Sequence, residues 1–232
     1  SGEYQYLFKN IFDNNMITIF LECGKFFENE IMLLDTYFKE IIYLFCIETT
    51  LSDLKQSATI YPLTQLQNRI SFNNEMKRLV PLAIREKMKL GVLLINIDRF
   101  RAVNDEHGDE FGDRFLRLYA DTIKKCIRTS DIAVRFGGGE FLIILVHVKS
   151  IEMTMQIAEK IKNTLTNTYL LSPNNDKFKK TVSIGISLFP DDSNDIHEVI
   201  KFSEMALLDV KDTGRNKLSR YEKLHRGSIE LF

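Results

Sequence analysis

Three consecutive glycines at 137–139 separate two apolar segments and are followed directly by Glu140. Glycine alone enters the φ > 0 conformations of tight turns without steric cost, so this pattern predicts a strand, a turn and a second strand. A bare hairpin needs no acid at its turn, and Glu140 is therefore also a candidate for chemistry. The segment predicts antiparallel strand pairing and indicates where a functional site is to be sought.

Composition limits the functions that the chain can serve. Its 232 residues are enough for one domain with its own core plus an additional helical segment. The formal net charge of −1 leaves no basic field of the kind that binds nucleic acid nonspecifically, so we expect no nucleic-acid partner. No stretch reaches the roughly 18 uninterrupted apolar residues of a membrane span. We therefore predict a soluble globular protein with no membrane span in this chain.

The cysteines and the first two residues bear on the cellular compartment. Cys23, Cys46 and Cys126 are widely spaced and odd in number, which favours reduced thiols in a cytosolic setting with no zinc site. The chain starts with Ser1 and Gly2 rather than Met, which resembles the scar left by cleavage of a tag. We therefore expect a cytoplasmic location, with this chain as the cytoplasmic part of a larger protein.

Residues 1–60 are predicted to form a helical segment, because residues 3–58 are almost free of glycine and proline. From position 27 onwards the apolar residues follow a 4-3-4-3-4 spacing, which is typical of a heptad seam. The seam consists of Phe27, Ile31, Leu34, Phe38, Ile41 and Phe45. Two interpretations stay open: a helix that packs on its own domain, and a signalling helix that forms a homodimer.

A second domain is predicted over residues 61–225, with a C-terminal tail at 226–232. Tyr61 precedes a proline and therefore ends the first helix, and Thr64 is the predicted N-cap of the next. The predicted elements are a helix at 65–87, a buried strand at 91–97, a helix at 110–128, the hairpin, a helix at 151–169, a polar loop at 171–179, a strand at 180–188, a helix at 196–211 and an edge strand at 217–221. This order predicts an α+β fold, a mixed α/β layer with a central, largely antiparallel sheet flanked by helices. Polymerase palms and nucleotidyl cyclases have this architecture.

Four further motifs accompany the hairpin in order along the chain. They are PLTQLQNR at 62–69, INIDRFRAVND at 95–105, TVSIG at 181–185 and KDTGRN at 211–216. Together with RFGGGEF at 135–141 they resemble the GGDEF family, the diguanylate cyclases that make cyclic di-GMP (c-di-GMP) from two GTP. The resemblance covers residues 61–221 and implies bacterial signal transduction. Tyr61 stands where the family's first motif has Asp, and Asp109 replaces the usual His.

The resemblance implies a guanine nucleotide site. Asn104 and Asp113 would hydrogen-bond the guanine, for which an acid that accepts from N1 and N2 is chemically sensible. Lys211 and Arg215 would bind the triphosphate, and their i, i+4 spacing places them near each other if the last helix extends that far. The resemblance thus implies GTP binding.

The resemblance also shows where the chain departs from a working cyclase. The two acids that hold Mg²⁺ in the family are replaced by Asn96 and Gly139. Asp98 and Glu140 remain as candidate catalytic residues and metal ligands, and strand alternation places Asp98 on the same face as Asn96. Mg²⁺ affinity rests on carboxylates, so we expect a weak or absent magnesium site and a cyclisation activity that is lost or vestigial.

Arg128-Thr129-Ser130-Asp131 matches the family's R-x-x-D product-binding motif, the I-site, at the family's spacing from the glycines. An arginine there forks onto phosphate or onto guanine O6 and N7, while the acid accepts from guanine N1 and N2. Lys162 on the following helix is a weaker candidate for the same site. By itself R-x-x-D is common, since a helix often ends in Arg just before an Asp that starts a strand.

Four functions remain open on the sequence. The leading hypothesis is a degenerate GGDEF domain that binds c-di-GMP through Arg128 and Asp131 and has lost cyclase activity. The second is an active diguanylate cyclase that uses Asp98 and Glu140 in an atypical metal site. The third is a GTP-binding regulatory module, and the fourth is a protein–protein scaffold. Measurement of nucleotide binding and of cyclic product separates them.

Overall fold

A computed structural model describes residues 4–12, 15–23, 25, 27–57, 59–172 and 175–222 of the chain. The chain divides into two units, Ser1–Ala58 and Thr59–Phe232. The predicted C-terminal tail at 226–232 lies outside the described residues. Within the described ranges, no helix is both long enough and apolar enough to cross a membrane.

The first unit combines a β-hairpin with a long helix. Strand β1 (Tyr4–Phe12) pairs antiparallel with β2 (Asn15–Cys23), and helix α1 covers Glu28–Ser57. The prediction of a helical segment over 1–60 is therefore wrong at 4–23. The sequence there is rich in Tyr, Phe and Ile, which favour strands. Scarcity of glycine and proline does not distinguish a helix from a strand.

The heptad seam of α1 is partly covered and partly open. Ile31, Leu34 and Phe38 are half-buried. Phe27 and Ile41 at the two ends of this stretch are 72% and 59% exposed. Helix α1 contacts β1 of its own unit. Part of the seam is therefore accessible to a partner.

The second unit contains a sheet that, in the described residues, consists of β3 (Lys89–Ile97), β4 (Ile132–Gly137), β5 (Glu140–Val148), β8 (Val182–Phe189) and β9 (Leu218–Arg220). The order across the sheet is β4-β5-β3-β8-β9, and every neighbouring pair is antiparallel except the edge pair β8–β9. The predicted α+β fold with a central, largely antiparallel sheet is confirmed. The predicted polar loop contains a short additional pair, β6 (Leu170–Leu171) and β7 (Lys177–Phe178).

Helices cover both faces of this sheet. They are α2 (Arg69–Arg85), α3 (Phe100–His107), α4 (Asp109–Cys126), α5 (Ile151–Asn167) and α6 (Ile196–Asp212). Leu93 and Ile95 of β3 belong to a core shared with α4 and α5, whereas Val92 and Leu94 belong to a core shared with α2 and α6. Because both faces are buried, the middle of β3, residues 90–95, is continuously apolar rather than alternating.

Helix α2 begins later than the sequence predicts. Its N-cap is Asn68, whose side-chain oxygen accepts hydrogen bonds from two backbone N–H groups of the first turn. The preceding residues form a separate turn, in which the Tyr61 N–H donates to the Leu66 carbonyl at 2.8 Å. Thr64 is buried inside this turn, so the prediction that it caps the helix is wrong.

Helix α3 follows β3 almost directly and was not among the predicted elements. It is only eight residues long and ends at Gly108, whose φ of +81° separates it from α4. Glycine is typical of helix C-termini because it enters this region of φ without strain. Helices α3 and α4 pack against each other, so residues of both helices come to lie beside the end of β3.

Candidate nucleotide-binding site

A cavity of about 620 Å³ lies beside the end of β3 and the turn between β4 and β5. Its walls come from the end of β3, from α3, from the glycine turn and from the end of α6 with the loop that follows. Of the residues that the sequence predicts for the site, the lining includes Asn96, Asn104, Gly139, Glu140, Lys211 and Arg215. Segments from three distant parts of the chain thus meet in one cleft.

The predicted hairpin and its acid lie at this cavity. Strand β4 ends at Gly137 and β5 begins at Glu140, with Gly138 in the left-handed region at a φ of +45°. An L side chain at position 138 would be strained there, which accounts for the glycine. In the antiparallel pairing of β3 with β5, Glu140 lies directly opposite Asn96.

Glu140 is held by two neighbouring groups through one of its oxygens. The Asn96 amide nitrogen donates to Glu140 Oε1 at 2.9 Å, and Lys211 Nζ lies 3.6 Å from the same oxygen. A carboxylate only accepts hydrogen bonds, so the Asn96 atom that faces Glu140 must be its NH₂ group. The amide oxygen of Asn96 therefore points away from Glu140.

Asp98 has a different environment from Glu140. Its carboxylate accepts hydrogen bonds from Thr181 Oγ1 at 2.6 Å, from Ser183 Oγ at 2.7 Å and from the Asn216 N–H at 3.2 Å. The residue is only 5% exposed, and it is not one of the described residues that line the cavity. Asp98 joins the end of β3 to β8 and to the loop that carries Arg215.

This set of donors does not fit Mg²⁺. The ion requires oxygen ligands, usually carboxylates together with phosphate oxygens and water. Asn96 presents NH₂ to Glu140, Gly139 has no side chain, and Asp98 is buried and already accepts three hydrogen bonds from hydroxyl and amide donors. Among the residues that the structure describes, no group of three or more His, Cys, Asp or Glu side chains could hold a metal ion.

The two residues expected to bind guanine lie on neighbouring helices. Asn104 of α3 lines the cavity, and its side-chain oxygen is buried without a hydrogen-bond partner. A Cβ at Gly112 of α4 would overlap this oxygen, so the glycine is what allows the close approach. Asp113 is half-buried and is not among the described residues of the cavity lining.

Basic side chains form much of the cavity wall. Lys211 lies in the last turn of α6, where cations interact favourably with the helix dipole. Arg215 lies beyond the end of the helix, with a left-handed φ of +61°, so it reaches the cavity from the following loop. Arg99 and Arg101 also line the cavity, and the sequence analysis did not predict them as site residues. Their position directly after a buried strand that ends in polar residues could have indicated this role.

Arg135 is a third residue that the sequence prediction missed. It is 9% exposed, donates from Nη2 to the Gly138 carbonyl at 3.2 Å, and lies with its guanidinium carbon 5.0 Å from the centre of the Tyr61 ring. Burial lowers the pKa of the guanidinium, while nearby Tyr61 and Asp113 raise it. Arg135 thus links the turn at the start of the second unit to the glycine turn of the site.

The R-x-x-D residues lie apart from the cavity, on the turn between α4 and β4. Asp131 accepts hydrogen bonds from the Arg128 N–H at 2.8 Å and from the Val146 N–H at 2.9 Å, so its carboxylate stabilises this turn. Arg128 is exposed. Lys162 forms an ion pair with Glu159 at 3.0 Å on its own helix.

Comparisons with known proteins agree with this architecture. The family model described as diguanylate cyclase, GGDEF domain, matches residues 58–217. The bifunctional diguanylate cyclase/cyclic di-GMP phosphodiesterase MucR of Pseudomonas aeruginosa is 32% identical over 170 residues, which is 73% of this chain and 24% of that protein. The chain therefore spans about a quarter of the length of this relative.

Two solved structures show the same fold. One is the GGDEF domain of YfiN (TpbB) from Pseudomonas aeruginosa, with a TM-score of 0.67 and 28% identity over 70% of this chain and 94% of that chain. The other is the GGDEF domain of DgcB from Caulobacter crescentus in complex with c-di-GMP, with a TM-score of 0.65 and 28% identity over 72% and 97%. The chain belongs to the GGDEF domain family.

Proposed function

We propose that this GGDEF domain binds a guanine nucleotide in the cavity and acts as a nucleotide sensor in c-di-GMP signalling, without making the dinucleotide at an appreciable rate. The observation that carries the proposal is Asn104, a residue of the cavity lining whose side-chain oxygen is buried and has no hydrogen-bond partner. Buried polar atoms are nearly always hydrogen-bonded. This oxygen lies against Gly112, and a ligand in the cavity supplies the missing donor when the Asn104 side chain turns toward it. The N1 and N2 hydrogens of guanine supply such donors.

The rest of the wall supports an anionic ligand. Of the described residues that line the cavity, four are basic, namely Arg99, Arg101, Lys211 and Arg215, and Glu140 is the single acid. Arginine and lysine are the residues that bind phosphate through charge-assisted hydrogen bonds. Guanine recognition at Asn104 and phosphate recognition at the basic residues fit one nucleotide in one cavity.

Two changes support the view that cyclisation is lost or vestigial. Asn96 and Gly139 supply no carboxylate. Of the two acids that remain, Asp98 accepts hydrogen bonds from three donors, and Glu140 contacts Asn96 and Lys211 through one oxygen. A Cβ added at Gly139 would lie 2.9 Å from Phe100 Cβ, so an acid at 139 requires Phe100 to shift. If only the carboxylates are missing, Asn96→Asp with Gly139→Asp restores c-di-GMP synthesis from GTP, measured by chromatography. Product from the wild-type domain would instead support an active cyclase.

Calorimetric titration with GTP and ATP tests nucleotide sensing. We expect GTP to bind at least about tenfold more tightly than ATP, because adenine has no N2 amino group to donate to Asn104. Asn104→Ala should remove this preference, and Asn163→Ala, an exposed asparagine of α5, is the matched control. Equal affinities of the wild-type domain for GTP and ATP would refute guanine recognition.

A second candidate function is a c-di-GMP receptor at Arg128 and Asp131. The observation in its favour is that the exposed Arg128 lies next to Asp131, whose oxygens each retain accepting capacity beyond their one backbone N–H bond. The similar DgcB domain was solved in complex with c-di-GMP. The role of Asp131 in the turn also accounts for this residue without a ligand, so the cavity remains the better-supported site.

Calorimetry with c-di-GMP separates the two candidates. Arg128→Ala should abolish binding at the R-x-x-D turn, whereas Arg117→Ala, an exposed arginine of α4, should leave it unchanged. If the wild-type domain does not bind c-di-GMP, or binds it as well as Arg128→Ala does, the receptor proposal fails. The GTP experiment is unaffected by either result.

We also propose that the protein is a cytoplasmic homodimer joined through α1. Met32, Leu33 and Leu44 of this helix are 73%, 55% and 64% exposed, and several large apolar residues exposed on one helix favour an interaction surface. Light scattering after size-exclusion chromatography should give twice the mass of the chain, and Leu33→Glu with Leu44→Glu should give the monomer mass. A monomeric wild-type protein would contradict the proposal.

A further inference from the structure

We infer that the nucleotide taken by this cavity is the metal-free form, with the Lys211 ammonium supplying positive charge beside Glu140 where a metal ion would otherwise be needed. This inference rests on the proposed function and names the ionic form of its ligand. It follows from three features of the described residues around Glu140: the charges that face the cavity, the orientation of Asn96, and the contact of Lys211.

The first feature is the sign of the charge. A magnesium–nucleotide complex binds where carboxylates complete the coordination of the ion, because the ion brings positive charge into the site. Here four basic residues and one acid are found among the described lining residues. Mg²⁺ would meet net positive charge in this cavity, and it would also neutralise the phosphate charges that the arginines and the lysine attract.

The second feature is the orientation of Asn96. Its NH₂ group donates to Glu140 at 2.9 Å, so the hydrogens of the amide occupy the side of Asn96 that faces the carboxylate. A cation shared between positions 96 and 140 needs an oxygen from each residue. To provide one, Asn96 would have to break its hydrogen bond and rotate, which leaves Glu140 Oε1 with Lys211 alone.

The third feature is the contact between Lys211 and Glu140. At 3.6 Å it exceeds the 2.7–2.9 Å or so of a well-formed charge-assisted hydrogen bond. The Lys211 side chain is 28% exposed, and an ammonium group has three hydrogens to donate. Lys211 therefore offsets the charge of Glu140 and retains donors for a phosphate oxygen.

The test is calorimetric titration of the full chain with GTP in excess EDTA and in excess Mg²⁺, at matched ionic strength. We expect GTP to bind in EDTA with an affinity equal to or several-fold higher than that in Mg²⁺. Weaker binding in EDTA than in Mg²⁺ would overturn the inference and leave the proposed function standing. Absence of GTP binding under both conditions would overturn the proposed function and the inference with it.

Variants show whether Lys211 is the residue responsible. Lys211→Gln should weaken GTP binding in EDTA about tenfold or more, as expected for loss of a charged hydrogen-bond donor. In this variant, GTP should bind more tightly in Mg²⁺ than in EDTA. Lys201→Gln, an exposed lysine of the same helix, is the matched control. An unchanged response to Mg²⁺ in Lys211→Gln would refute the role of the lysine.

A direct metal titration does not depend on the nucleotide. Wild-type protein without nucleotide should show no specific Mn²⁺ site by electron paramagnetic resonance, whereas Asn96→Asp should bind Mn²⁺ because it places a second carboxylate opposite Glu140. Specific Mn²⁺ binding by the wild type would overturn the inference. Thermal unfolding of each variant establishes that it is folded before it is compared.

Discussion

Asp98 and Glu140 are two carboxylates near the ends of neighbouring strands, and they differ in burial and in hydrogen bonding. Asp98 is 5% exposed and accepts hydrogen bonds from two hydroxyls and one backbone N–H. The Glu140 side chain is 43% exposed, and its described contacts, with Asn96 and Lys211, share a single oxygen. The first carboxylate is committed to the fold, and the second still faces the cavity.

This difference explains how the ends of two neighbouring strands can carry one structural and one functional acid. A buried carboxylate is tolerated when donors surround it, and those donors then depend on it. A half-exposed carboxylate is hydrated, so it adds little to stability and remains available to influence a ligand. We therefore expect substitutions at position 98 to act on folding and substitutions at position 140 to act on binding.

The largest effect is expected for Asp98→Ala. Removing the carboxylate leaves the hydroxyls of Thr181 and Ser183 and the Asn216 N–H without their acceptor, which should lower the free energy of unfolding by about 3 kcal/mol or more. Urea unfolding followed by circular dichroism measures this loss. Asp105→Ala, an exposed acid of α3, should change stability little. A loss no larger than that of the control would show that Asp98 is not a structural residue.

The next effect is expected for Arg135→Met. The change removes the hydrogen bond to the Gly138 carbonyl and the contact with the Tyr61 ring, which should cost about 2 kcal/mol of unfolding free energy. GTP affinity should also fall, because the glycine turn loses the support of the Arg135 side chain. Chemical denaturation and calorimetry measure the two effects, with Arg114→Met on the exposed side of α4 as the control. If stability falls while GTP affinity is unchanged, Arg135 stabilises the fold and does not contribute to nucleotide binding.

Whether a structural feature could be predicted from the sequence depends on how far apart its interacting residues lie along the chain. The five main strands and the helices α2, α4, α5 and α6 of the second unit were predicted because each apolar pattern is local, whereas the short helix α3 was not. Asn104, Lys211 and Arg215 line one cavity, as their motifs imply. The partners of Asp98 were not predictable, since Thr181 and Asn216 lie 83 and 118 residues away in sequence, and nothing local to Asp98 indicates them.

The N-terminal unit shows the opposite failure, in which local information was present and was misread. Its alternating aromatic and β-branched residues favour strands, yet the prediction weighed only the scarcity of glycine and proline. Thr64 and Asn68 are a similar case, because both are good helix caps and only the turn formed by Tyr61 and Leu66 selects Asn68. Local patterns identify candidates, and packing selects among them.

A smaller effect is expected for Asp131→Ala, which carries the comparison to a third carboxylate. Asp131 accepts from the backbone N–H groups of Arg128 and Val146, so its loss should cost about 1–2 kcal/mol in unfolding free energy. Arg128→Ala should leave stability unchanged, since its side chain is exposed. Thermal melts of both variants check this contrast, and an equal loss in the two would mean that the arginine side chain also stabilises the turn.

The smallest effect on stability is expected for Glu140→Gln, and it tests the other half of the comparison. The glutamine amide keeps a carbonyl oxygen that accepts the hydrogen bond from Asn96. The attraction between Glu140 and Lys211 is lost, but water already screens it at this half-exposed position. The unfolding free energy should therefore change by less than about 0.5 kcal/mol. GTP affinity in EDTA should rise a few-fold, because a negative charge leaves the cavity and Lys211 is released for the phosphates. Calorimetry beside urea unfolding measures both quantities. A destabilisation comparable to that of Asp98→Ala would place Glu140 in the fold rather than in the site, and weaker GTP binding would mean that the carboxylate itself contributes to holding the nucleotide.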